Sequence, residues 1–190
     1  MIYYPPYNKL LRYFFYPHIP DCRRLLLIES GSRQLIEKVI PYLYDLFGQD
    51  VEIDLVTCYA GEPAGVNGRI FNVNDYGGPA GRNALWADLA QREYLVTGVL
   101  CAAEPIMTKW KWWLAAKVPA KIFIINENAD YFWVDRWHFT QLRRFVVYRL
   151  GLTGATALPA LVRLVCFPFT LAWLLLYAGT VHLRRKIRLL

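Results

Sequence analysis

The sequence predicts an α/β fold: a Rossmann-like parallel sheet of four to five strands flanked by helices, plus one C-terminal membrane helix. Three observations predict it. Short, continuous apolar runs recur between residues 24 and 127, segments of helical periodicity lie between them, and the most apolar stretch is confined to the C-terminal end. With 190 residues there is room for one ordinary domain and a short appendage. A hydrophobic content of 56% with only 19% charged residues excludes a disordered chain. The mean hydropathy of +0.21 is too low for a polytopic membrane protein, so the apolar excess must be local.

Residues 1–22 form an aromatic-rich arm. Tyr3, Tyr4, Tyr7, Tyr13, Phe14, Phe15 and Tyr16 are interleaved with Lys9 and Arg12, a mixture suited to the lipid headgroup zone, to docking on another protein, or to packing on the domain itself. The arm lacks the basic start, uninterrupted apolar core and cleavage site of a secretory signal. Residues 23–139 form the Rossmann-like domain. RLLLIES (24–30) reads as a buried parallel strand, and Ser32 starts a helix whose apolar positions run from Leu35 to Phe47 before Gly48 ends it. VEIDLVTCY (51–59) and RIFNVND (69–75) are the second and third strands, separated by the loop AGEPAGVNG. A helix at 83–92, a strand at 94–103, a short helix at 107–116 and a last strand, KIFIINE (121–127), complete the alternation.

The composition then changes. Residues 140–155 read as a basic amphipathic juxtamembrane helix, 156–183 as an anchor and 184–190 as a basic tail. Within the anchor, residues 164–182 carry no formal charge if His182 is neutral and are just long enough to cross a bilayer as a helix. All 15 acidic residues lie at or before Asp135, leaving that region at −2, while residues 136–190 hold nine basic residues and no acid. A cationic, apolar end is the signature of anionic lipid, and nucleic acid is not the expected partner. Arg163, Trp173, Arg184, Arg185, Lys186 and Arg188 are the expected membrane-interface residues. Pro168 leaves open a re-entrant helix as the alternative to a single crossing. Four scattered cysteines without a CxxC pair suggest neither a zinc site nor a disulfide framework, so no metal is expected. Reduced thiols and the missing signal favour the expectation that the domain faces the cytoplasm from the inner membrane.

Ligands of open parallel sheets bind beyond the carboxyl ends of the strands, which directs attention to the residues that follow each apolar run. The turn Glu29, Ser30, Gly31, Ser32 and Arg33 offers backbone N–H groups at a helix start with an arginine beside them, suited to a phosphate or a sugar hydroxyl, or else simply forms a tight strand-to-helix turn. It matches neither nucleotide-binding glycine motif, and no cofactor is expected. Asn126 ends the fifth strand and joins the ligand-binding candidates. Glu104 and Glu127 stand at neighbouring strand ends, where a general base for sugar or phosphate chemistry belongs; helix capping and turn formation are their structural alternatives. Trp110, Trp112 and Trp113 cannot all enter one core, which makes them candidates for docking a partner.

The runs RRLLLIESGSRQLIEKVIPYL and YLVTGVLCAAEPIMTKWKWWLAAKVPAKIFIINENADYFWVDR resemble the amino-terminal half of GT-B glycosyltransferases, in particular the heptosyltransferase-like family that builds lipopolysaccharide. The resemblance covers residues 23–136. It implies an acceptor-binding half-domain, with Glu29–Arg33 and the end of the fifth strand facing the acceptor. In that family a second Rossmann-like half binds the nucleotide sugar; here an anchor stands in its place, so the resemblance implies that the donor contacts come from another chain.

The function expected is thus a membrane-anchored glycosyltransferase-like domain, partner-dependent or degenerate, in cell-envelope glycan or glycolipid assembly. The alternative is a non-catalytic accessory subunit of a membrane protein complex, built on a retired Rossmann-like domain. Both expect membrane lipid and another protein chain as partners.

Overall fold

The computed structural model describes residues 13–15, 18–102, 104, 106–151 and 157–188. The first twelve residues of the aromatic arm, and the expectations attached to them, lie outside the described residues. Two compact units are present, Met1–Phe139 and Thr140–Leu190.

In the first unit, β1 (Arg24–Ile28), α1 (Arg33–Phe47), β2 (Glu52–Thr57), β3 (Ile70–Asn72), α2 (Gly78–Ala90), β4 (Val96–Leu100), α3 (Thr108–Lys117), β5 (Lys121–Ile125) and β6 (Tyr131–Trp133) follow in chain order. They build a six-stranded sheet in the order β3-β2-β1-β4-β5-β6. The first five strands are parallel; Leu27 lies beside Leu55 on one side and Gly98 on the other. β6 runs antiparallel to β5, with Ile124 opposite Phe132. The alternation of apolar runs and helices predicts this mixed α/β architecture correctly. The count of four to five strands is corrected to six, because a tight turn folds the short segment YFW back onto β5. Two further boundaries differ. The expected third strand, 69–75, ends at Asn72 and continues as a 3-10 turn over Val73–Asp75. α2 starts five residues before the expected 83, at Gly78, where proline in the first turn favours helix initiation.

Pleating divides the sheet residues between two faces. Leu25, Leu27, Ile53, Leu55, Phe123 and Ile125 pack with Ile36, Val39, Ile40 and Leu43 of α1 in one buried core. Leu26, Ile28, Val56 and Val99 alternate with that set and are equally buried. Right-handed crossovers place α2 and α3 over this second face, to which they bring buried Leu85, Leu89 and Leu114. Gly98 permits tight packing on the α1 side. A Cβ there would lie 2.5 Å from Phe123 Cζ and 2.6 Å from Leu27 Cδ2.

The second unit contains most of α4 (Phe139–Arg149) and α5 (Ala157–Arg188). In α5 every side chain from Val165 to Thr180 is exposed, including Phe167, Phe169, Trp173, Leu174, Leu175 and Leu176. Its threonines bond back to their own helix: Thr170 Oγ1 donates to the Cys166 carbonyl at 2.9 Å and Thr180 Oγ1 to the Tyr177 carbonyl at 2.7 Å. Among the described residues no helix is long and apolar enough to cross a membrane, so the crossing expected at 164–182 has no counterpart there. Of the expected interface residues, Arg163 and Trp173 are exposed. Arg184, Arg185, Lys186 and Arg188 continue the helix, with side chains outside the described set.

Candidate functional site

The parallel order reverses between β1 and β4, and the crevice beyond their carboxyl ends is the natural ligand position of this topology. Gly31 makes the crevice narrow: a Cβ there would lie 2.8 Å from both Ala102 Cβ and Leu100 Cδ2. Ser30 is buried and its hydroxyl donates to the Ile106 carbonyl at 2.5 Å, tying the lead-in of α3 to the end of β1. Ser30 and Gly31 therefore shape the crevice from within.

Glu29 is fully buried and held on two sides. Arg33 Nε donates to its Oε1 at 2.9 Å, and Thr57 Oγ1 donates to its Oε2 at 2.5 Å. Arg33 also donates to the Gly61 carbonyl at 3.0 Å and lies over the Tyr59 ring at 5.6 Å. These two sequence candidates are spent on each other, a part-buried ion pair that fixes the turn and neutralises the charge each would offer a ligand.

The other candidates open outward. Ser32, Gln34, Leu35, Lys38, Ala102, Glu104 and Glu127 line one cavity of about 350 Å³. The structure thereby brings together Ser32 from the first strand end, Glu104 from the fourth and Glu127 from the fifth. Ser32 occupies the N-cap position of α1 in extended backbone, with no side-chain capping bond. Glu104 does not cap α3 either; that position belongs to Met107, in left-handed backbone at φ 50°. A second cavity, of about 400 Å³, shares Lys38 and is lined further by Tyr42, Asn128, Asp130 and Tyr131.

Asn126 has a structural task. Its Oδ1 accepts from the backbone N–H groups of Asn128 (2.9 Å) and Asp130 (3.0 Å), and this side-chain turn reverses the chain into β6. Trp112 is 49% exposed, and the Lys111 ammonium lies 5.7 Å from the centre of its ring. Trp110 and Trp113 are half-buried and meet edge to face at 5.7 Å.

Two buried polar clusters at the amino-terminal edge of the sheet were not foreseen as sites. In one, the Asp54 carboxylate accepts from Arg92 Nε and Tyr94 Oη, both at 2.5 Å, and from the Arg69 backbone N–H at 2.7 Å; Arg92 also pairs with Glu52. Burial pushes the Tyr94 phenol far up, and the Asp54 carboxylate adds to this, so Tyr94 stays a hydrogen-bond donor. In the other, Lys121 Nζ lies 3.3 Å from Asp135 Oδ2, and Asp135 Oδ1 lies 2.8 Å from His138 Nδ1. The signal for both was a charge embedded in an apolar strand, Asp54 in VEIDLV and Lys121 opening KIFII. Among the described residues no group of acidic, histidine or cysteine side chains is arranged to hold a metal ion.

Compared with protein-family models, with curated proteins and with solved structures, the chain finds no match.

Proposed function

We propose that this chain is a membrane-anchored, glycosyltransferase-like domain that binds a polyhydroxylated acceptor on the cytoplasmic side of the inner membrane and relies on a second chain for the nucleotide sugar. The observation that carries the reading is the convergence of Glu104 and Glu127 with Ser32 and Lys38 on one open cavity at the carboxyl edge of a parallel sheet. Glu104 is exposed there, placed where a base must stand. In the reaction, an acceptor hydroxyl loses its proton to a carboxylate as its oxygen bonds to the anomeric carbon, and the sugar–phosphate bond breaks to release the nucleotide. Anchoring is supported by the exposed, largely apolar run in α5, whose threonines are satisfied within the helix, and by the acid-free, basic sequence around it.

The non-catalytic accessory subunit is favoured by a different observation. The most buried carboxylate of the crevice, Glu29, is consumed by Arg33 and Thr57.

Purification of the full-length chain in mild detergent, followed by photolabelling of the preparation with an azido nucleotide sugar, separates the two. A co-purifying protein that labels, together with sugar transfer abolished by Glu104→Gln or Glu127→Gln, is the expected result. A stoichiometric membrane assembly that neither labels nor transfers sugar overturns the catalytic reading in favour of the accessory one. Flotation with phosphatidylglycerol vesicles tests the anchor: Leu174→Glu with Leu176→Glu should abolish it, and undiminished flotation sinks the lipid assignment.

A further inference from the structure

On the sheet face opposite α1, a cavity of about 310 Å³ is lined by Gly78 and Arg82 of α2 and by Lys109, Trp110 and Trp113 of α3. Its charge is all of one sign: Arg82 and Lys109 supply two exposed cations and no carboxylate lines it. Neither cation makes a hydrogen bond or ion pair among the described residues, whereas most arginines of the domain's interior are neutralised. Neither α2 nor α3 carries an acidic residue in its first turn, so no local anion compensates the pair.

The walls define the anion further. A guanidinium fork and a lysine ammonium together match the oxygens of a phosphate. The Trp110 and Trp113 indoles, held edge to face at 5.7 Å, add flat apolar surface to the same wall, so the remaining volume suits an apolar or ring-bearing group attached to the phosphate.

We infer that the cavity between α2 and α3 is a phosphate-binding site, held by Arg82 and Lys109 and walled by Trp110 and Trp113. The phosphate belongs either to a lipid headgroup or to a free phosphate compound. The site is independent of the sugar-transfer reading, since it shares no residue with the Glu104–Glu127 cavity.

The test uses the full-length chain in zwitterionic detergent, with tryptophan fluorescence as readout and inorganic phosphate as probe at constant ionic strength. A saturable change is expected, weakened about tenfold or more in Arg82→Gln/Lys109→Gln, both exposed positions at which folding should survive; circular dichroism checks that it does. A second titration uses phosphatidylcholine vesicles with and without phosphatidic acid. If the double variant also loses the preference for phosphatidic acid, the headgroup is the source. If it loses inorganic phosphate but keeps that preference undiminished, the lipid is held by the basic C-terminal end and the ligand of this cavity is a free phosphate. Phosphate and phosphatidic acid responses both unchanged in the folded double variant overturn the site.

Discussion

Lys121 Nζ lies 3.3 Å from Asp135 Oδ2, and both side chains are almost wholly removed from solvent. Lys121 opens β5, and the segment following β6 returns Asp135 to it because β6 runs antiparallel. Burial opposes the Asp135 charge, but the side chain and backbone of His138, together with Lys121, outweigh it and hold the carboxyl below the usual aspartate range. A carboxyl depressed in the native state contributes stability that is complete above its unfolded value, about pH 4, and is lost as pH falls through the lower native value. Asp135→Asn should therefore cost about 3–5 kcal/mol at pH 7, since it removes the counter-charge of a buried ammonium. Chemical denaturation from pH 7 to pH 3 checks this. The gap between variant and wild type should narrow below about pH 4, and a gap independent of pH would contradict the assignment.

The Glu29–Arg33 pair gives a second expectation. Arg33→Met leaves a fully buried carboxylate with Thr57 as its remaining named donor, at an expected cost of about 3 kcal/mol. Adding Glu29→Gln should restore part of the loss by removing the stranded charge. A double variant no more stable than Arg33→Met would show that the pair is not the cause.

Gly98→Ala should destabilise by about 1–3 kcal/mol, although alanine is ordinarily no worse than glycine in a strand, because the new Cβ enters the space of Phe123 and Leu27. Phe123→Leu in the same chain should recover stability relative to the sum of the two single changes. Simple additivity in thermal denaturation would argue against the clash.

Thiol chemistry should follow burial. Desolvation, helped by the neighbouring Asp21 charge, pushes Cys22 up to about 11, and Cys101 is buried as well, while Cys166 is exposed. At pH 8 in detergent, a maleimide is expected to modify the part-exposed Cys58 before Cys22 and Cys101, which should react only after denaturation. Peptide mapping after timed quenching gives the order directly, and rapid labelling of Cys22 in the folded chain would count against its placement.

Strands β1, β2, β4 and β5 are legible because strands buried on both faces need continuous apolar runs, and those runs stand out between glycine and proline signals. β6 is less legible. Three residues carry little periodicity, and their pairing depends on Asn126 closing a turn with Ala129 in left-handed backbone at φ 68°. Position after a strand end was enough to expect Ser32, Glu104 and Glu127 near one another, and they line one cavity because topology gathers strand ends. Sequence position could not reveal that Glu29 is silenced by Arg33 and Thr57, nor that Asp54 meets Arg92 from 38 residues away. Such pairings are set by tertiary register rather than by local pattern.

Both borders of the sheet are closed by strands of only three residues, β3 on one side and β6 on the other. An extended peptide seeking to lengthen the sheet would find little ladder to zip against at either margin. Any ligand of this domain would thus be met by side chains at strand ends and on helix surfaces, where substitutions leave the backbone lattice beneath undisturbed.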